Sequence, residues 1–346
     1  MTRLFDVQAE PAAIAFAAEV IRQGGLVAFP TETVYGLGAN ALDADAVAKV
    51  FSAKQRLLSD PLIVHVCLPD HKQDVFSWLT KQEVIGALSA QQEMIACKLA
   101  SAFWPGPLTL VLPRGERIPP IVTAGLDRVA VRIPNHPIAL ELLRRSNVPI
   151  AAPSANRFGH VSPTTARHVL DDLAGRIDVV LDGGPTPIGI ESTVVDVIET
   201  PPRLLRPGGL VRADIEALIG PLGHQPAHED DDRAAQPSPG LLSRHYAPRA
   251  ELRLARTTAE LIEMRRQLIT QGLSVGVLIT DPEEVDYDTL SPAFALGRDM
   301  QSVARNLYAG LRTLDSAGVD VILIREVEAH GLGEAVADRL RRGARR

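Results

Sequence analysis

Cysteine is nearly absent from this chain: Cys67 and Cys97 are the two in 346 residues, too few for a disulfide framework and without the spacing of a metal-ligand set. Aromatic residues make up 4% of the sequence and stand apart from the basic ones, which disfavours a stacking platform for single-stranded nucleic acid. No apolar run approaches the ~20 residues needed to span a bilayer. The N-terminal Met1-Thr-Arg-Leu-Phe-Asp6 carries an acid early and no long apolar core, so it does not read as a secretory signal, and the chain is expected in the cytosol. An excess of positive charge is also missing. The formal net charge of −6 argues against coating nucleic acid by bulk electrostatics, while leaving room for a local basic pocket. No Walker A loop, His-Glu-x-x-His zinc motif, Gly-x-Ser-x-Gly elbow or Gly-x-Gly-x-x-Gly fingerprint occurs. If a nucleotide binds, side chains and turn amides must hold its phosphates.

What is present is an ordinary globular composition, 46% apolar and 23% charged, in a chain long enough for two domains with real cores. The first spans residues 1–221. A helix at 11–23 stops at Gly24-Gly25, and apolar runs at 26–29, 62–66, 108–112, 129–133, 149–152, 177–181, 192–197 and 203–205 predict strands. Helices at 44–53, 137–145 and 164–173 stand among them, which makes the fold class α/β with a twisted mixed sheet. Residues 222–249 are expected to form an interdomain linker, because His, Gln, Pro and three consecutive aspartates cannot bury a core. In residues 250–346, strands at 252–254, 275–279, 293–296 and 319–324 alternate with helices at 259–271, 300–317 and 334–341. That alternation predicts a smaller parallel, Rossmann-like α/β domain, without the fingerprint a dinucleotide site needs.

The most informative stretch runs from residue 25 to 65. Between two apolar runs lie two threonines, a glutamate, a tyrosine and glycines, read as a loop; polar groups packed between buried strands cost free energy unless something satisfies them. The helix at 44–53 then delivers Lys54 and Arg56, which suit a polyphosphate if the backbone there is extended, or else form a solvated helix end. Ser154 and Asn156 follow a strand, where a hydroxyl and an amide facing the same way can ligate phosphate or cap a turn. His65 ends a strand as a hydrogen-bonded core residue or a base. Arg132 at another strand end can grip a carboxylate or pair with a structural acid. Glu191-Ser192-Thr193 opens a strand whose hydroxyls are ordinarily structural. Arg128, Arg157, Arg206 and Arg244 sit in or beside Gly-, Pro- or Ser-rich stretches, a placement that suits ligand contact.

Taken together, Pro30-Thr-Glu-Thr-Val-Tyr-Gly-Leu-Gly38, Lys54-x-Arg56, Pro61-Leu-Ile-Val-His65, Phe103-Trp-Pro-Gly-Pro-Leu-Thr109 and Val129-Ala-Val-Arg-Ile-Pro134 occur in order. Pro153-Ser-Ala-Asn156, Gly189-Ile-Glu-Ser-Thr-Val-Val-Asp196 and Leu205-Arg-Pro-Gly208 follow them. This series closely resembles the threonylcarbamoyl-AMP synthases, the YrdC-domain family, over residues 12–219. The linker ending in His245-Tyr246-Ala247-Pro248 and the tail resemble the long two-domain form. The resemblance implies a nucleotidyltransferase that makes L-threonylcarbamoyl-AMP and pyrophosphate from L-threonine, bicarbonate or CO2, and ATP. It further implies that downstream machinery carries the group onto an adenosine beside the tRNA anticodon; direct tRNA binding is left open.

Carried over by motif, Thr33, His65, Arg132, Ala152 and Ser192 would line the threonine pocket, with Arg132 on the carboxylate. Lys54, Arg56, Asp60, Arg128, Ser154, Asn156, Ser162, Arg206 and Tyr246 would hold ATP. Lys54, Arg56, Ser154 and Asn156 would stand nearest the reacting phosphates. Mg2+ would ride on those phosphates rather than in a protein cage, and Tyr246 would close over the nucleotide as a lid. This chain departs from the family where Asp60 replaces an asparagine and Arg128 a threonine, and the two are expected to compensate each other. The competing readings are a non-catalytic RNA- or nucleotide-binding module of the same fold, and a maker of another carbamoyl-adenylate of the hydrogenase-maturation kind. The latter would carry acylphosphatase-like and zinc-finger portions that this sequence does not show.

Overall fold

The computed structural model describes residues 1–67, 74–223, 234–241, 245–281 and 290–345. The linker's aspartates, 230–232, and Arg244 lie outside the described residues. The larger domain opens with β1 (Arg3–Asp6), α1 (Ala13–Arg22), β2 (Val27–Pro30), β3 (Tyr35–Asn40) and α2 (Ala44–Lys54). Next come β4 (Ile63–His65), α3 (Val75–Lys81), α4 (Ala90–Phe103), β5 (Leu108–Pro113) and β6 (Arg128–Arg132). It closes with α5 (Pro137–Ser146), β7 (Ile150–Ala151), α6 (Ala166–Leu173), β8 (Val179–Asp182), β9 (Thr193–Asp196), β10 (Arg203–Arg206) and α7 (Arg212–Ile219). The strands form one mixed sheet in the order β1-β8-β2-β3-β7-β4-β6-β5-β9-β10. Parallel β4–β6 and antiparallel β5–β6 lie side by side within it.

Residues 35–40, read from the sequence as loop, are a strand paired to both β2 and β7. Glycine's weak strand preference hides it. Here glycine serves close packing: a Cβ on Gly38 would stand 2.7 Å from Ile150 Cγ2 and 2.8 Å from Phe29 Cε1. β1 and α7 carried no expectation at all.

The smaller domain holds β11 (Glu251–Ala255), α8 (Thr258–Thr270), β12 (Val275–Ile279), β13 (Ala293–Ala295), α9 (Met300–Ser316), β14 (Val321–Arg325) and α10 (Leu332–Ala344). Its sheet is parallel throughout, in the order β11-β14-β12-β13, as the alternating pattern predicts. Side chains alternate across each strand. Val275, Val277, Ile279, Val321 and Leu323 therefore pack with Leu261 and Leu268 of α8, while Leu278, Ile322 and Ile324 face α9 and α10. That second cluster also takes in Val34, Val161, Ile190 and Tyr246, so α9 and α10 form the seam with the larger domain.

The described part of the linker is not the solvated segment its composition suggests. Gln236, Ser238, Leu241, His245 and Tyr246 are buried. The Gln236 amide donates to Ser59 O, and the Ala247 amide to Gly159 O, each at 2.9 Å. These residues are a strap lying across the larger domain. No helix among the described residues is long and apolar enough to cross a membrane.

Candidate active site

The end of α2 supplies the first cations. Asp43 caps the helix by accepting from the Asp45 and Ala46 amides. Gln55 closes it in the left-handed conformation at φ 56°. Lys54 is thus the last helical residue and the backbone after it is not extended, so the two cations diverge. Lys54 is 1% exposed, and its ammonium donates to the carbonyls of Ser154 and Asn156. Burial, with Arg56 nearby, pulls its pKa well below that of an ordinary lysine. Arg56 lines a cavity, with Nε donating to Asp60 O at 2.9 Å and Nη2 to Pro61 O at 2.8 Å.

Asp60 Oδ2 lies 2.8 Å from Arg56 Nη2. Burial raises the Asp60 carboxyl pKa, against the pull of Arg56. The expected pairing of Asp60 with Arg128 is therefore not formed. Arg56, four residues away on the same turn, reaches the acid first, and Arg128 pairs with Asp196 at 2.7 Å and Glu199 at 3.6 Å.

The middle of the sheet supplies the floor. Ile63, Val111, Ala130, Val194 and Leu205 form a small apolar cluster, and parallel pairing of β4 with β6 sets His65 beside Arg132. His65 is buried with Nδ1 3.3 Å from Ile63 O. Burial, reinforced by Arg132, brings its pKa down to about 3, so the ring is neutral near pH 7 and a weak base. Arg132 donates from Nε to Gly106 O at 3.2 Å and from Nη1 to Thr33 Oγ1 at 3.0 Å. Its Nη2 stands 2.6 Å from Glu32 Oε1. Since the Thr31 hydroxyl donates to Val34 O at 2.7 Å, the Thr33 hydroxyl must donate to Thr31 Oγ1, 2.8 Å away. The threonine–glutamate–threonine run thus fixes one guanidinium. The Trp-Pro-Gly-Pro turn fixes its other side; a Cβ on Gly106 would stand 2.4 Å from Phe103 O.

The third guanidinium comes from β10. Arg206 donates from Nε and Nη2 to Ser192 O at 3.1 and 2.9 Å, from Nη2 to Ser192 Oγ at 3.1 Å, and from Nη1 to Pro239 O of the strap at 3.1 Å. Arg206 and Lys54 thus spend their hydrogen-bond donors on neutral groups. Tyr246 covers the cavity from the strap, held at φ 61°. Its hydroxyl is buried and has no hydrogen-bond partner among the described residues. The cavity between floor and strap is ≈ 50 Å³.

Of the residues expected at the site, Thr33, Arg56, His65, Arg132, Ala152, Ser154, Ser192, Arg206 and Tyr246 line this one cavity. Lys54, Asp60, Arg128, Asn156 and Ser162 do not line it. Asn156 does not face the same way as Ser154: its amide nitrogen donates to Arg157 O and His160 O, each at 2.8 Å, which is the turn-bracing alternative. Its Oδ1 is buried without a partner among the described residues. Ser162 donates to Glu191 Oε1 at 2.6 Å. Arg128 lies on the same face of β6 as Arg132, toward the start of the strand.

Sequence reasoning missed the partners of these groups. Glu32 and Glu191 stand inside motifs already singled out, and their burial between strands was the available signal. Tyr308 and Arg339, which both reach Glu191, belong to amphipathic helices with no local cue.

Residues 19–208 match the family described as "Telomere recombination", and residues 210–345 the family described as "Threonylcarbamoyl-AMP synthase, C-terminal domain". The threonylcarbamoyl-AMP synthase of Pyrococcus abyssi is 46% identical over 339 residues, 96% of this chain and 94% of that protein. The Bacillus subtilis enzyme of the same name is 44% identical over 335 residues, 96% of this chain and 92% of that protein. The crystal structure of P. abyssi Sua5 complexed with L-threonine superposes with a TM-score of 0.88 at 45% identity, covering 99% of this chain and 98% of that one. A doubly substituted variant of the same protein gives 0.89 at 44% identity over 99% and 96% of the two chains. Both domains and nearly the whole length are accounted for, and the chain belongs to the threonylcarbamoyl-AMP synthases, nucleotidyltransferases of the two-domain form.

Proposed function

We propose that this protein condenses L-threonine, bicarbonate or CO2, and ATP into L-threonylcarbamoyl-AMP and pyrophosphate, in the cytoplasm, for transfer to tRNA by downstream enzymes. The observation that carries the reading is the convergence of Arg56, Arg132 and Arg206 on one cavity roofed by a tyrosine whose buried hydroxyl has no partner among the described residues. Three guanidiniums match a substrate set rich in carboxylate and phosphate oxygens.

Arg132, already aimed by Thr33 and Glu32, takes the threonine carboxylate. His65, Ala152, Thr33 and Ser192 shape the pocket around the side chain and amine. The amine adds to CO2 with loss of a proton, giving a carbamate. A carbamate oxygen then attacks the α-phosphorus of ATP, the P–O bond to the β-phosphate breaks, and pyrophosphate leaves. Negative charge grows on phosphate oxygens, so the protein contributes mainly position and positive potential. Lys54, Arg56 and Arg206 provide that potential, with Ser154, Asn156 and Ser162 bracing the loops beneath. Asp60 modulates Arg56, and Arg128 stands at the far end of the same face, toward the rest of the nucleotide.

Among the described residues no cluster of three His, Cys, Asp or Glu side chains could hold a metal ion. The Ser154 hydroxyl, an oxygen donor in the cavity wall, fits a Mg2+ carried in on ATP. Bound there, it would neutralise phosphate charge. Tyr246 lies over this cavity, and in this reading the strap lifts for ATP and recloses, shielding the labile adenylate from water.

The test is pyrophosphate release from ATP, Mg2+ and bicarbonate with and without each amino acid. Release that depends on L-threonine is expected. Release independent of threonine would reassign the acceptor, and ATP binding without release would favour a binding module.

A further inference from the structure

Among the described residues the smaller domain contributes none to the floor of the cavity, yet its last helix touches the roof at both described ends of the strap. Arg342 of α10 donates to Leu241 O at 2.9 Å. One residue further along, α10 runs so close to the strap that a Cβ on Gly343 would stand 3.1 Å from Tyr246 O. Between these points lies Arg339, 1% exposed, with its guanidinium 4.9 Å from the centre of the Tyr246 ring. The same guanidinium donates from Nε to Glu191 Oε2 at 2.8 Å, from Nη1 to Asp338 Oδ2 at 2.6 Å and from Nη2 to Pro207 O at 3.0 Å. Glu191 lines the cavity.

Tyr308 of α9 completes the arrangement. Its hydroxyl lies 2.9 and 3.1 Å from the two Glu191 oxygens, and its ring stacks on Tyr246 at 5.9 Å with a 19° tilt. Tyr246 is therefore held between an arginine face and a tyrosine face, and both residues that hold it are locked to one carboxylate in the cavity wall. Burial would raise the Glu191 pKa, but Arg339 and Arg206 hold it down at about 2, so the carboxylate stays charged and the lock stays made at working pH. The strained φ of Tyr246 persists only because its surroundings over-determine it. These contacts are what over-determines it.

We propose that Arg339 and Tyr308 are positioning residues for the synthase: through Tyr246 and Glu191 they set the closed strap against bound nucleotide, so the smaller domain governs ATP capture without touching it. Arg132, which seats threonine in this reading, has its hydrogen bonds and ion pair with Gly106, Thr33 and Glu32 rather than with either of them. The inference rests on the synthase reading. It specifies a split: losing the lock weakens ATP binding and leaves threonine binding alone, an asymmetry that a loss of overall fold does not produce.

The experiment compares Arg339→Lys, which keeps the charge but loses the planar fork, and Tyr308→Phe, which keeps the ring but loses the hydroxyl, with the unaltered full chain. Initial rates of threonine-dependent pyrophosphate release give both KM values, and gel filtration after one turnover gives the fraction of adenylate still on the protein. The ATP KM is expected to rise about tenfold in Arg339→Lys and about threefold in Tyr308→Phe. The threonine KM should stay within twofold, and protein-bound adenylate should fall in both. Folded variants whose ATP KM is unchanged, or whose two KM values rise together, would overturn the inference. If the unaltered protein itself releases no pyrophosphate, the synthase reading fails instead; ATP affinity by calorimetry then still decides whether the lock exists.

Discussion

The ion pair between Glu32 and Arg132 is the feature whose removal has the most readable consequence. Both side chains are nearly inaccessible, at 7% and 4%, and Glu32 Oε1 stands 2.6 Å from Arg132 Nη2. At that distance, with an effective dielectric constant of about 20, the attraction is about 6 kcal/mol, much of it offset by the desolvation of two ions. Removing one partner leaves the other charged and dry. Arg132→Met should therefore cost about 3–5 kcal/mol, a fall of roughly 6–20 °C in the Tm of a domain this size. Glu32→Gln should cost about 1–3 kcal/mol, because the guanidinium keeps Gly106 O and Thr33 Oγ1. In the double variant the charges vanish together, so its loss should fall at least ~2 kcal/mol short of the sum of the singles. Guanidinium chloride unfolding followed by tryptophan fluorescence is well placed to measure this. Trp78 and Trp104 are the two tryptophans of the chain, and both report on the larger domain. Threonine binding should be lost wherever Arg132 is replaced, whatever the stability. Strict additivity of the two single effects would refute the claim that these side chains form one electrostatic unit.

Acidification should act through His65: the folded protein holds it neutral with a pKa of about 3, while the unfolded chain takes up a proton near pH 6.5. Stability is thus lost as pH falls below 6.5, by about 2 kcal/mol between pH 7 and 5, and His65→Gln should remove that part of the slope in urea titrations; parallel slopes would count against it. Gly240 sits at φ 80° with Tyr246 Oη 2.4 Å and Arg206 Nη1 3.1 Å from any added Cβ. Gly240→Ala should displace the strap and raise the ATP KM several-fold, with pyrophosphate release as the readout; an unchanged KM would show that the strap tolerates the displacement. Asp60→Asn removes the negative charge beside Arg56 and should lower the ATP KM two- to fivefold at low salt, at a cost of about 1–3 kcal/mol in stability. A higher KM would mean that Asp60 itself contacts the nucleotide.

Much of this architecture is legible in the sequence because it rests on local signals. Apolar runs bounded by Gly and Pro mark most strands of the larger sheet, and the regular alternation of the tail gives the parallel sheet of the smaller domain. The ordered motifs bring nine of the fourteen expected residues to one cavity. What escaped is what depends on contacts distant in sequence. β3 hides behind glycines that serve the packing of Phe29 and Ile150. The buried strap reads as a linker because polarity is judged residue by residue, whereas its Gln236 and Tyr246 are covered by elements far away in the chain. The supposed Asp60–Arg128 pair failed because charge complementarity carries no geometry. A nearer arginine and a nearer aspartate took the two partners.

The lock on Glu191 joins residues separated by 117 and 148 positions in the chain, and this gives the protein a timetable. During synthesis the sheet and the floor of the cavity can assemble once β10 has emerged. The roof cannot be held until α9 and then α10 have followed. Throughout that interval Glu191 has no arginine from α10, and the strap rests on the larger domain alone. If the lock governs ATP capture as proposed, a chain ending before α10 should form the floor of the site yet retain less adenylate than the full chain.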